Sequence, residues 1–198
     1  TRKDFHDPYL MQDMNIAVNR IIEAINRKEK IIIYGDYDVD GITSITVLKK
    51  FFLDRGIEVD TYIPNRLEEG YGLNKNAIDT IVEKGYNLMI TVDCGISGIE
   101  EIDYANSRGL QTIVTDHHEP GETLPNALAI VDAKRKDSEY PFNQLAGVGV
   151  VFKLIQALGI KYGLDEKEYL KYLDLVCVGT ISDIVPLVDE NRVIAKLG

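Results

Sequence analysis

Lys30-Ile31-Ile32-Ile33-Tyr34-Gly35-Asp36-Tyr37-Asp38-Val39-Asp40-Gly41 is the stretch that decides the fold. Its first half is an apolar run of strand length closed by a glycine, and unbroken runs of this kind mark strands covered on both faces. Its second half sets carboxylates at alternate positions and gives way to helical spacing over 42–54. A buried strand, a short polar turn and a helix make one βα unit of a parallel sheet.

The same alternation recurs downstream. The pattern predicts strands over 30–34, 58–63, 87–92, 111–115 and 127–131, and helices over 13–27, 42–54, 74–84 and 98–107. Arg55-Gly56, Lys84-Gly85 and Arg108-Gly109 repeat one stop signal, a basic residue before a glycine. After Asp132 the segment 133–141 is charged and loop-like, and helices are expected over 149–162 and 166–178. A last segment, 179–187, leads to a turn at Asp189-Glu190-Asn191 and an apolar end over 193–197, where the chain is expected to run on into a longer protein. The predicted fold is α/β: an open, mainly parallel five-stranded sheet with helices on both faces, followed by a helical segment. Ligands of such sheets bind beyond the carboxyl ends of the strands.

Composition narrows the function. The 198 residues carry 32 acidic and 22 basic side chains, a net charge of −10, with 45% hydrophobic and 27% charged residues. These values exclude a disordered or collagen-like chain, and they suit one domain or slightly more. The two cysteines, Cys94 and Cys177, lie in apolar segments and read as reduced thiols. No apolar run approaches the roughly 18 to 20 residues that cross a bilayer, and residues 1–6 lack a signal-peptide core, so a cytoplasmic protein with no membrane partner is expected. The acidic balance excludes passive adhesion to nucleic acid, unless metal ions reverse the local sign.

Acids and imidazoles gather after the predicted strands. Asp36, Asp38 and Asp40 follow the first, Asp93 and Cys94 the third, and Asp116-His117-His118 the fourth. Two readings fit the first group: a hard-metal site, or an acidic turn in which one Asp caps the next helix. Carboxylates with one or two imidazoles and no thiolate pair suit Mn²⁺ or Mg²⁺ better than structural Zn²⁺. An EF-hand loop is excluded, because its twelfth position, normally Glu, is Val47. A haloacid-dehalogenase-type phosphatase could use Asp38 and Asp40, but leaves Asp116-His117-His118 unexplained.

In combination, Asp36-x-Asp38-x-Asp40-Gly41, Val92-Asp93-Cys94-Gly95, Asp116-His117-His118 and Gly179-Thr180-Ile181-Ser182-Asp183 resemble the four motifs of the DHH phosphoesterases. Within them the chain is similar to the RecJ-like branch of bacterial single-strand-specific exonucleases. That closer likeness rests on 34–41, Ile63-Pro64-Asn65-Arg66, Glu69-Gly70-Tyr71-Gly72-Leu73 and 146–154, with Asp183-Ile184-Val185-Pro186-Leu187 and Glu190-Asn191-Arg192 adding to it.

The resemblance implies a two-metal Mn²⁺ centre hydrolysing phosphodiesters of single-stranded DNA from 5′ to 3′, in repair and recombination. It implies metal ligands Asp38 and Asp40 on different ions, Asp93 between them, and His117 and Asp183 completing the set, with Asp36 a ligand or a supporting group. Asp93, Asp116 and His118 are the implied catalytic groups, Asp116 and His118 orienting ligands or approaching the phosphate. All 198 residues then form the DHH catalytic domain, and the domains that complete the DNA groove lie outside this sequence. Other substrates compatible with the resemblance are short oligonucleotides, cyclic dinucleotides and 3′-phosphoadenosine 5′-phosphate, and a non-catalytic binding module is the remaining alternative.

Four further residues are candidate substrate contacts. Arg66 fits a phosphate fork or a salt bridge to Glu68 or Glu69. Tyr71, between two glycines, fits a base-stacking side chain or a packing anchor. Gly147 and Gly149 open a helix and fit either close backbone approach to substrate or tight helix packing.

Overall fold

The computed structural model describes residues 4–65 and 70–198. Five strands, β1 (Ile31–Gly35), β2 (Asp60–Tyr62), β3 (Leu88–Val92), β4 (Gln111–Thr115) and β5 (Ala129–Val131), form one sheet in the order β2-β1-β3-β4-β5. Every neighbouring pair is parallel, with Ile33 beside both Thr61 and Ile90, and Ile90 beside Ile113. The helices are α1 (Met14–Asn26), α2 (Val39–Leu53), α3 (Lys75–Glu83), α4 (Ile99–Ser107), α5 (Gly147–Lys161), α6 (Lys167–Leu170), α7 (Leu173–Ser182) and α8 (Asp189–Leu197). Among the described residues, no helix is long and apolar enough to cross a membrane.

Both faces of the sheet are covered. Ile31, Ile33, Ile90, Val92, Ile113 and Val131 point into a large core with α1, α2, α5 and α7, while Ile32, Tyr34 and Met89 face Ala77, Ile78 and Ile81 of α3. Val114 and Ile130 meet Ile102 of α4. Strands buried on both sides have no polar face to display, so their sequences read as continuous apolar runs rather than alternating ones. Local signals set the helix ends. Asp38 and Asn74 accept from Gly41 N–H (2.8 Å) and Ala77 N–H (2.7 Å) as N-caps of α2 and α3, and Gly56, Gly85 and Gly109 stop α2, α3 and α4 in the left-handed region.

Two expectations change beyond Asp132. The helix expected over 166–178 is broken: α6 ends at Leu170, Tyr172 takes φ −95°, and α7 then runs on to Ser182. Tyr172 is buried, with its hydroxyl donating to Asp54 Oδ2 (2.8 Å), and this anchor on α2 turns the chain where apolar periodicity alone runs on. Asp189-Glu190-Asn191 is not a turn but the first turn of α8. Glu190 is fully buried there, paired with Lys153 (2.9 Å) and accepting from Tyr140 (2.5 Å) and His6 N–H (3.0 Å).

The chain leaves β1 for β2 on one side and arrives at β3 on the other. This reversal opens a crevice beyond the carboxyl ends of β1 and β3, the place where open α/β sheets take their ligands.

Candidate metal centre

Each acidic side chain of the crevice is delivered by a particular piece of backbone. Asp36 follows β1, is buried, and accepts from Tyr37 N–H (2.7 Å). Gly41 lets the first turn of α2 close over it, since a Cβ there would stand 2.5 Å from Asp36 O. Asp38 is exposed at the N-cap of α2, and Asp40, two residues on, turns inward and is 3% exposed. Asp93 follows β3 in the left-handed region (φ 58°), its N–H donating to Thr115 O (3.0 Å). That conformation is strained for a residue with a Cβ, and it turns the carboxylate from the strand direction into the crevice.

The first turn of α5 completes the arrangement. Gly147 N–H and Val148 N–H donate to the two oxygens of Asp40 at 2.7 and 2.8 Å, so a carboxylate of α2 caps the positive end of another helix. Gly147 also touches Asp93, and a Cβ at 147 would lie 2.5 Å from Asp93 Oδ1. Gly149 packs instead on Leu145, away from the acids.

His117, after β4 and 8% exposed, joins these groups. Its Nε2 stands 3.1 Å from Asp93 Oδ1 and 3.8 Å from Asp40 Oδ2, and its Nδ1 lies 3.7 Å from Asp183 Oδ2 at the end of α7. Two overlapping groups have ligand atoms within 4.8 Å of one another: Asp93 with His117 and His118, and Asp40 with His117 and Asp183. Asp93 Oδ1 and His117 Nδ1 are buried with no hydrogen-bond partner among the described residues. Buried polar atoms are ordinarily satisfied, and unpartnered ligand atoms on both sides of the His117 ring, toward Asp93 and toward Asp183, fit bound cations.

Electrostatics agree with that fit. Burial pushes the Asp40 and Asp93 carboxyls well above the usual range, and neighbouring carboxylates push further: Asp93 on Asp40, and Asp38 and Asp116 on Asp93. Taken alone the cluster resists full ionisation, and a divalent cation removes that penalty. Asp116 behaves differently. Burial raises it, but His118 and the N–H groups of Ile96 and His118 outweigh burial and hold it below the usual range. His118 Nδ1 lies 2.7 Å from Asp116 Oδ1, and this hydrogen bond keeps the imidazole protonated to higher pH. His118 Nε2 faces the crevice, 3.3 Å from the Tyr71 hydroxyl.

The expected residues therefore separate. Asp40, Asp93, His117, His118 and Asp183 converge, Asp38 lines the approach, Asp36 lies buried beneath α2, Asp116 holds His118, and Tyr71 overhangs it. Gly147 touches the acids from behind, and Arg66 lies outside the described residues. One acid escapes the sequence reading. Asp132 follows β5, is fully buried, keeps Oδ2 without a partner, and is pushed by burial up to about 7, with Asp116 adding to the rise. The signal is available, since an acid directly after a buried strand is the pattern that singles out Asp36 and Asp93.

Comparison with known proteins points the same way. Residues 30–180 match the family model described as DHH family, N-terminal domain. The single-stranded-DNA-specific exonuclease RecJ of Bacillus subtilis (strain 168) is 51% identical over 98% of this chain and 24% of the relative, and that of Haemophilus influenzae is 39% identical over 100% and 36%. The chain thus spans about a quarter to a third of these curated relatives. Among solved structures, an exonuclease RecJ bound to manganese superposes with a TM-score of 0.86 at 37% identity, covering 95% of this chain and 47% of that one. RecJ from Thermus thermophilus in complex with Mn²⁺ gives 0.81 at 34%, covering 95% and 26%. With a family match over most of its length and the motif side chains gathered at one crevice, the chain belongs to the DHH family.

Proposed function

We propose that this chain is the hydrolytic domain of a longer protein, and that it cleaves phosphodiester bonds of single-stranded DNA with two divalent cations, Mn²⁺ or Mg²⁺. The observation that carries the proposal is the convergence of Asp40, Asp93, His117 and Asp183 at the β1/β3 crevice, with Asp93 Oδ1 and His117 Nδ1 buried and without hydrogen-bond partners among the described residues. RecJ relatives named as single-stranded-DNA-specific exonucleases, and RecJ structures with Mn²⁺ and Mg²⁺, support this choice of substrate and metal.

Asp40, Asp93, His117 and Asp183 are the proposed ligands, with Asp38 at the open side and Asp36 beneath. Bound cations would supply Lewis-acid activation of the phosphate and of the attacking water. The chain's own groups do the rest. Asp40 is oriented by two amides of α5, one on each carboxylate oxygen, which leaves each oxygen one lone pair for a cation. Asp93 is fixed by its left-handed backbone. His118, kept protonated by Asp116 and facing the crevice through Nε2, can give its proton to a leaving oxygen. No protein nucleophile is required, and none of the described groups is placed as one.

The test is cleavage of a fluorescent oligothymidylate with Mn²⁺, alongside thermal unfolding, for the wild type and Asp93→Asn. A ligand at about 100 times its Kd adds about 2.7 kcal/mol, which raises Tm by roughly 5–11 °C at this size. The wild type should show the shift and the cleavage, and Asp93→Asn neither. No shift for the wild type at millimolar Mn²⁺ would refute the proposal.

A further inference from the structure

Among the described residues, the surface of α2 and α7 beside the metal centre is apolar. Val39, next to Asp38, is 47% exposed and Ile42, one turn on, 45%; Ile181 of α7 is 53% exposed, and Ile184, next after Asp183, 88%. Helices α2 and α7 run antiparallel, with Tyr172 bonded to Asp54 at one end and Gly179 against Thr43 and Asp40 at the other. The two pairs of aliphatic side chains therefore flank a cleft of about 170 Å³ lined by Asp38, Val39, Asp40, Ser182 and Asp183. A neighbouring cleft of about 160 Å³ runs beneath Tyr71 and His118. Among the described residues, no Lys or Arg lines either one.

Ile184 also sits in the left-handed region (φ 58°), just past the end of α7, where glycine is the usual residue. For a β-branched side chain this is a true outlier, and at 88% exposure it gains no packing in return. Strain that packing does not offset collects at functional positions.

We infer that Val39, Ile42, Ile181 and Ile184 form a lip that takes the unstacked base of the nucleotide whose phosphate lies at the centre, with Ile184 the main specificity-determining contact. The inference rests on the proposed function and names the part of the substrate that the flanking surface reads. Ile184 is the next residue after Asp183, their Cα atoms about 3.8 Å apart, so a phosphate at Asp183 brings its own base within reach of the lip. A duplex hides its base faces in the stack and a single strand offers them, so the lip selects single strands by contact. The lip adds an apolar contact to the base, separate from the metal-held phosphate.

The test compares KM for Mn²⁺-dependent cleavage of an oligothymidylate and of the same backbone carrying abasic residues, for the wild type, Ile184→Gly and Val39→Ser. The wild type should show a KM about 5- to 10-fold lower with bases present. Ile184→Gly should bring the two KM values together while melting above the wild type, because it relieves the strain. An unchanged KM ratio in Ile184→Gly overturns the inference while leaving the proposed function standing. A wild-type dimer that Ile181→Ser and Ile184→Gly convert to monomers also overturns it, making the lip a self-interface. No cleavage of either substrate by the wild type refutes the proposed function itself, and the lip with it.

Discussion

Replacing Gly147 by alanine tests whether α5 shapes the metal centre. The added Cβ would stand 2.5 Å from Asp93 Oδ1 and 2.7 Å from its Cβ and Cγ, where ordinary contacts begin at 3.4 Å. The arithmetic, 3.4 − 2.5, asks for a movement of 0.9 Å, and neither partner can give cheaply. Asp93 is held at the end of β3 in a strained conformation, and α5 is held by the two amide bonds to Asp40. Overpacking of this kind costs about 1–3 kcal/mol, which lowers Tm by roughly 2–12 °C at this chain length. Disturbing the support of a ligand weakens metal affinity by about 10- to 100-fold, and a misplacement near 1 Å slows chemistry by about 100-fold. Calorimetric Mn²⁺ titration with oligonucleotide cleavage reads both. Gly149→Ala is the control, because its new methyl's three nearest neighbours all belong to the Leu145 side chain, at 3.1–3.6 Å, and it should change stability within about 1 kcal/mol with Mn²⁺ affinity intact. Wild-type Mn²⁺ affinity and cleavage in Gly147→Ala would refute the role given to the close approach.

Three further outcomes follow from buried charges and a surface contact. Asp132 titrates from the ordinary 3.8 up to about 7 in the folded protein, so its contribution to stability is full below about pH 4 and is lost as pH rises through about 7. Asp132→Asn should therefore gain about 1–4 kcal/mol over the wild type at pH 8 and little at pH 4, measured by urea unfolding; parallel pH profiles would count against it. Lys153→Met strands the fully buried Glu190 and should cost about 3–5 kcal/mol, whereas Lys153→Met with Glu190→Gln should recover most of it in the same assay. Tyr71→Phe removes the hydroxyl 3.3 Å from His118 Nε2 while leaving the ring, so Tm should move by no more than about 2 °C and the pH dependence of cleavage should shift.

The fold is legible where burial is symmetric. Strands β1, β3 and β4 lie between two helical layers and read directly as apolar runs, whereas β2, at the sheet edge, shrinks to Asp60–Tyr62 because pairing on one side supports fewer residues. Periodicity fails where polar groups are buried. Glu190 looks like a surface acid in the sequence, yet it lies in the core beside Lys153 and Tyr140, and the helix it opens reads as a turn. The acidic members of the centre are visible because their spacing after strands carries the information. The amide cap on Asp40 is not, since no side-chain pattern announces which backbone N–H groups will fold back across more than a hundred residues.

That cap fixes an order of events during synthesis. The last strand closes at Val131, but the amides that restrain Asp40 belong to residues 147 and 148, so 147 − 131 leaves 16 residues still to be added. At about 5–20 residues per second the nascent sheet spends roughly 1–3 s with Asp40, Asp93 and His117 already made but Asp40 unrestrained and Asp183 not yet added, before counting the delay of the ribosomal tunnel. Asp40 thus gains its orientation only once α5 docks, and the ligand set is complete only when α7 has delivered Asp183.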